Sequence, residues 1–195
     1  MTSKKLPVGL LGALLVLGAL VGTTPALAQG ACIDFEAPAF VLGTQYGAPA
    51  GHVPNQWVFN YAGIDARVHK FDWGGGTTFR VAHIDNAPPT LGPTQSLRFN
   101  NINMSFDFSS WGTLPKTIKI SYVDLGGIEN LSINGSAYYV GDIAGAPAVL
   151  GGVNVMVTAA AIPGGKTGTI VLRGSVKYFT IGGQEFWIDD LCATP

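Results

Sequence analysis

Charge is the first thing this chain has little of. Lys, Arg, Asp and Glu make up 12% of its 195 residues, and no basic block or stripe occurs. That argues against a nucleic-acid partner. Histidine is limited to His52, His69 and His83, without metal-ligand spacing such as H-E-x-x-H. No G-x-S-x-G elbow is present, and Gly74-Gly75-Gly76 is followed by neither a Gly-Lys-Ser/Thr run nor a helical pattern. The glutamates are Glu36, Glu129 and Glu185, which leaves no evident pair of carboxylates for a glycosidase cleft. No stretch after residue 28 is long and apolar enough to span a membrane. A sustained 3.6-residue period with caps is also missing, so at most a helical turn or two is expected.

What is present begins with a leader. Lys4 and Lys5 precede an apolar run over residues 8–21, and Ala26-Leu27-Ala28 supplies a small-x-small cleavage pattern. Residues 1–28 therefore read as a secretory signal peptide, and 29–195 as one domain, secreted, extracellular or periplasmic. Lys4 and Lys5 are the only charges in the leader, so the mature chain is mildly acidic, with nine Lys+Arg against twelve Asp+Glu. Cys32 and Cys192, the only cysteines, lie near its two ends. In an oxidising compartment they pair most simply with each other, which requires the two ends to be neighbours.

Glycine is abundant and short apolar-polar alternations recur, as in a β protein with many tight turns. Strands are expected over residues 56–61, 64–71, 77–84, 95–100, 102–108, 116–123, 130–133, 136–140, 153–157, 169–173 and 176–181. A closing strand runs through Phe186-Trp187-Ile188-Asp189-Asp190-Leu191, and a first strand through Ile33-Asp34-Phe35-Glu36. Asn134-Gly135 marks a two-residue hairpin. Residues 37–54 read as loop. About a dozen short strands point to an antiparallel β-sandwich, with a jelly roll the expected topology because it brings both terminal strands together.

The terminal strands carry clustered carboxylates: Asp34 and Glu36 in the first, Asp189 and Asp190 in the last. If these strands pair, the mutual repulsion calls for hydrogen bonds or a hard cation, for which Ca²⁺ is the extracellular choice. Carboxylates that cap turns and face water are the plainer alternative. "I-D-F-E" at the start and "F-W-I-D-D-L" at the end resemble the edges of galactose-binding-like jelly-roll domains, among them carbohydrate-binding modules. That resemblance implies a structural calcium held by Glu36 and Asp189, with Asp34 and Asp190 second.

Aromatics supply the candidate ligand platform, since sugar rings stack on Trp and Tyr while polar groups satisfy their hydroxyls. Trp73 beside Asp72 and Trp111 after two serines are both loop-like and come first. Trp57, Tyr61, Tyr138 and Tyr139 follow, with Asp72, Arg67, Arg80 and Asn100 as polar partners. Trp187 lies mid-strand and reads as core or sheet surface. The leading expectation is a non-catalytic module that binds an extracellular glycan or polysaccharide. Alternatives are a structural or adhesive surface or matrix protein and, third, a small hydrolase or lyase.

Overall fold

Period-two alternation decides which residues form strands here. Ile118, Ile120 and Tyr122 are fully buried, while Lys119 between them is exposed. The same pattern buries Ile64, Ala66 and Val68 and turns Asp65, Arg67 and His69 outward. The computed structural model describes residues 30–92 and 94–195; the expected signal at residues 1–28 lies outside the described residues.

The strands are β1 (Ala31–Ile33), β2 (Gln45–Gly47), β3 (Trp57–Tyr61), β4 (Ile64–His69), β5 (Phe71–Asp72) and β6 (Thr77–Thr78). Next come β7 (Val81–Asn86), β8 (Gln95–Asn100), β9 (Ile102–Asp107), β10 (Thr117–Asp124), β11 (Glu129–Ile133) and β12 (Tyr139–Gly141). The last are β13 (Val149–Leu150), β14 (Val153–Ile162), β15 (Gly165–Arg173), β16 (Tyr178–Gly183) and β17 (Phe186–Thr194). Two single 3-10 turns, Ala48–Ala50 and Ile143–Gly145, are the only helical elements among the described residues.

All pairings among these strands are antiparallel. A nine-stranded sheet runs β13-β14-β15-β10-β17-β8-β7-β2, with β1 also on β17. A six-stranded sheet runs β12-β11-β16-β9-β4-β3, and β5 and β6 form a small separate ribbon. Both large sheets contribute to one apolar core: Ile84, Leu97, Ile120 and Ile188 from the first, Val68, Met104, Phe106 and Ile181 from the second. The chain is thus an all-β protein with the two facing layers of a sandwich.

Strand β17 sits at the centre of the larger sheet. Its first half pairs with β8 (Ile188 opposite Leu97) and its second half with β1 (Ile33 opposite Leu191). Between the two lies an irregularity in the β10–β17 ladder, where Asp190 takes φ of 48°. The bulge inserts one residue, so Ile188 and Leu191 both face the core. Cys32 stands opposite Cys192, and the two form the disulfide the sequence calls for.

Several boundaries differ from the expectation for local reasons. The first strand ends at Ile33 rather than continuing to Glu36. Phe35 adopts φ of 55°, which turns its ring into the core against Phe40, with 5.3 Å between centroids. Asn134 and Gly135 do form a tight turn, both at positive φ, closed by Ser136 N donating to Ile133 O at 3.0 Å. The chain then leaves the ladder until Tyr139. Asn134 instead accepts from Lys177 N at 2.8 Å and donates to Ser175 O at 2.9 Å, tying the turn to the approach of β16. The β14–β15 hairpin extends beyond the expected 153–157 and 169–173, reaching Ile162 opposite Gly165 across Pro163-Gly164. Its Ala and Gly residues carry little apolar-polar contrast, so alternation did not reveal them.

The bridge spans a sequence separation of 160 residues. Closing a loop of that size restricts the unfolded chain by about 4–5 kcal/mol in the chain-entropy account. We expect Cys32→Ser/Cys192→Ser to lower the melting temperature by roughly 10–15 °C. Free thiols on the unreduced protein would contradict the pairing, as would an unchanged melt in the double variant.

Candidate functional site

The outer face of the six-stranded sheet is polar and aromatic where its inner face is largely apolar. Register aligns the outward residues in rows across the strands. One row runs Trp57, Arg67, Ser105, Thr180, Ser132 along β3, β4, β9, β16 and β11. A second runs Asn60, Asp65, Asp107, Tyr178, and a third His69, Asn103, Gly182, Asn130.

Trp57 and Arg67 are the most chemically distinctive pair. The Arg67 guanidinium lies over the Trp57 ring, 3.7 Å from its centroid. Trp57 remains 47% exposed, so much of the ring still meets solvent. Among the described residues Arg67 makes no ion pair; its charge rests on the ring. Trp57, Arg67, His69, Ser105, Asp107, Tyr178 and Thr180 line a cleft of about 320 Å³.

His69 forms the wall shared with a second cleft of about 390 Å³, lined also by Asn55, Lys70, Asp72 and Tyr138. With its ring neutral, Nδ1 donates to Asn55 Oδ1 and Nε2 accepts from the Ser105 hydroxyl, both at 2.8 Å. Burial, with the Arg67 charge adding to it, lowers the His69 pKa to about 4. Tyr138 hangs over the sheet with its hydroxyl beside Thr180 and Asn103, and burial raises its pKa.

An asparagine pair holds the far side of this face. Asn103 Nδ2 donates to Asn130 Oδ1 and to Lys70 O, both at 2.9 Å. Asn130 in turn grips the Asp72 backbone, donating to its carbonyl and accepting from its N–H at 2.8 Å each. Gly182 makes this possible: a Cβ there would come within 2.4 Å of Asn103 Oδ1. The β5–β6 ribbon is thereby docked beside the clefts. At its tip Trp73 lies against the Gly75–Gly76 backbone, where a Cβ on Gly75 would meet the ring at 2.1 Å. Trp73 is 45% exposed.

The structure therefore brings Trp57, Arg67 and Asp72 onto adjoining clefts and leaves Trp73 exposed at the ribbon tip. Trp111 and Tyr61 are placed otherwise. Trp111 Nε1 donates to Gly63 O at 3.1 Å and the ring meets Phe108 edge-on, a peg at the sandwich end. Tyr61 packs on Phe40, 5.3 Å between centroids. Asn100 lies in a separate hollow with Asn101, Gln184 and Glu185. His69, Ser105, Asp107, Tyr178 and Thr180 were not expected as site residues. Their signal was the parity of their strands: each alternates with a residue bound for the core.

Nearer the termini, Asp34 Oδ1 accepts from Glu36 N at 3.2 Å and Asp189 Oδ1 from Asp190 N at 2.8 Å. Glu36 Oε1 accepts from Gln95 N at 2.9 Å and from the Thr94 hydroxyl. Burial raises the Asp189 pKa to about 7, helped by the negative charges of Asp190, Glu36 and Asp34. The charges of these carboxylates reach Asp189, but no three of the four bring an oxygen each within 4.8 Å of one another, so the terminal strands do not hold a closed cation shell.

No family model, no curated protein and no solved structure matches the chain. Neither the site nor these comparisons point to an enzyme. No helix among the described residues is long and apolar enough to cross a membrane, and the disulfide is compatible with an extracellular location.

His69 gives this face a pH signature. Its folded pKa lies below the usual value of about 6.5, so between these limits the unfolded chain binds a proton that the native protein refuses. Stability from this residue is complete above pH 6.5 and declines as pH falls toward 4. Allowing for solvent screening, the loss is about 1–2 kcal/mol. Urea unfolding of wild type and His69→Gln from pH 7.5 to 4.5 should show the two curves converging at the acid end. Parallel curves would mean that His69 titrates normally.

Proposed function

We propose that this protein is a secreted, non-catalytic module that binds an extracellular glycan on the outer face of its six-stranded sheet. The observation that carries the reading is the exposed Trp57 ring with Arg67 beneath it, in a cleft walled by hydroxyls, imidazole and carboxylate. A flat aromatic face accepts the C–H side of a sugar ring, and Arg67, His69, Ser105, Asp107 and Thr180 address its hydroxyls. The second cleft, past His69 to Asp72 and Tyr138, gives room for a further sugar unit. The reading includes a jelly-roll winding with adjoining termini, supported by the pairing of β1 with β17. It also includes a structural calcium at Glu36 and Asp189, with Asp34 and Asp190, supported by the crowding of these carboxylates.

Retention on a panel of insoluble polysaccharides tests it. Trp57→Ala should weaken retention at least tenfold, because one desolvated aromatic anchor commonly contributes 2 kcal/mol or more. Its melting temperature should shift by no more than about 2–4 °C, since the ring is half exposed and an exposed Arg–Trp stack contributes about 0.5–1 kcal/mol. Trp111→Ala should do the reverse, lowering stability while the folded fraction still binds. Retention of Trp57→Ala equal to wild type would remove this face from the reading.

One observation favours the second reading, a structural or adhesive protein. β13 covers β14 only as far as Asn154, and residues 156–162 have no strand partner on that edge among the described residues. That edge, Met-Val-Thr-Ala-Ala-Ala-Ile, has no charge to oppose pairing with another strand. Concentration-dependent association in sedimentation, abolished by Ala160→Lys and indifferent to Trp57→Ala, is what this reading expects. A monomer at every concentration would set it aside.

A further inference from the structure

Away from the glycan face, three carboxylates converge at the end of the sandwich where β10, β11 and the turn after β12 meet. One oxygen each of Asp124, Glu129 and Asp142 lies within 4.8 Å of the other two. Asp124 is 5% exposed and Glu129 is fully buried. Each is already aimed by its backbone. Asp124 Oδ1 accepts from Gly126 N at 2.7 Å, Glu129 Oε2 from Ile143 N at 3.0 Å, and Asp142 Oδ1 from Ala144 N at 2.9 Å.

Within this cluster Glu129 is the residue with a buried, unsatisfied atom. Its Oε1 is buried and has no hydrogen-bond partner among the described residues. A buried acceptor without a partner costs about 1–3 kcal/mol, and more if it is charged. The nearby cation, Lys166, reaches Asp142 Oδ2 from the rim rather than Glu129. An ionised Glu129 beside Asp124 thus needs positive charge inside the cluster.

We propose that Asp124, Glu129 and Asp142 form a binding site for one divalent cation of the calcium type. The donor set is all oxygen and anionic, as a hard cation requires, and the three side chains come from separate elements that the ion would clamp together. Glu129 brings a wholly buried carboxylate with an unpartnered oxygen, and Asp142, exposed at the rim, gives the ion its way in. Binding displaces the Lys166 ammonium from Asp142, so Lys166 acts as a competitor at the empty site. Without an ion, burial first and the charges of Asp124 and Asp142 after it raise the Glu129 pKa to about 8. The alternative it leaves is a proton shared between Glu129 and Asp124 in place of a metal.

The test uses the whole mature protein, stripped with chelator and desalted, with CaCl₂ as the probe in calorimetry and thermal melting. Wild type should bind Ca²⁺ and melt roughly 5–10 °C higher at a hundredfold excess over Kd. Glu129→Gln keeps the shape and the acceptor for Ile143 N but should lose one equivalent of bound ion together with this shift. Lys166→Met should bind more tightly than wild type. Asp189→Asn serves as the control for the terminal carboxylates and should leave this equivalent in place. Ca²⁺ binding lost in Asp189→Asn but retained in Glu129→Gln would overturn the proposal. So would wild type that neither binds Ca²⁺ nor changes its melt, and a Glu129→Gln variant more stable than that wild type would assign the cluster to a shared proton.

Discussion

The two-residue period of the β-strand is the constraint on which both faces of this protein depend. Once Ala66, Val68, Met104, Phe106, Phe179 and Ile181 turn into the core, their neighbours must turn out. Arg67, Ser105 and Thr180 therefore share a row although the sequence scatters them over more than a hundred residues. The hydrophobic effect fixes the register, because a slip of one residue would bury an arginine and expose a phenylalanine. The polar face is a by-product of the apolar one, and its precision is borrowed from core packing. A face built on sheet strands is accordingly stiffer than one built on loops.

Much of the architecture was legible for the same reason. Strands such as Gln95–Asn100 announced themselves through local alternation, and two cysteines near opposite ends had one simple pairing. Trp57, Arg67 and Asp72 were also visible as residue types. Pairing between distant strands was not, because nothing local in Ser105 or Thr180 says which strand lies beside it. Trp111 illustrates the converse. Its serine- and glycine-flanked setting looked like an exposed loop, yet its ring edge meets Phe108 and its N–H finds Gly63 O. The acidic cluster was hidden by distance too: Asp124, Glu129 and Asp142 each look like turn residues until β10, β11 and the turn at Ile143 converge.

Carboxylates are few here, and several of them are concentrated in two places. At the termini, Asp34, Glu36, Asp189 and Asp190 each spend an oxygen on a nearby backbone or hydroxyl donor. Burial still raises the Asp189 pKa to about 7, so the charge there is only partly accommodated. At the other cluster the same local bonds leave Glu129 with an acceptor that no described residue reaches. The two places differ in kind. The first surrounds the β17 bulge and is braced by the disulfide, so it can stand on covalent and hydrogen-bonded support. The second joins three elements with no such brace, and charge balance has to come from a proton, from Lys166 or from an ion.

Among the described residues the sandwich carries two arginine–tryptophan stacks, and they differ in how far each is closed off from solvent. Arg98 lies over Trp187 at 4.7 Å on the larger sheet, as Arg67 lies over Trp57 at 3.7 Å on the smaller. Arg98 is also paired with Asp85, which in turn meets His83, so its charge is spent within the protein. Trp187 is 7% exposed against 47% for Trp57. The first stack is therefore a closed structural element that cements β17 to β8. The second keeps a cation with no ion pair among the described residues and a half-exposed ring in a cleft, so it is open to solvent where the first is closed.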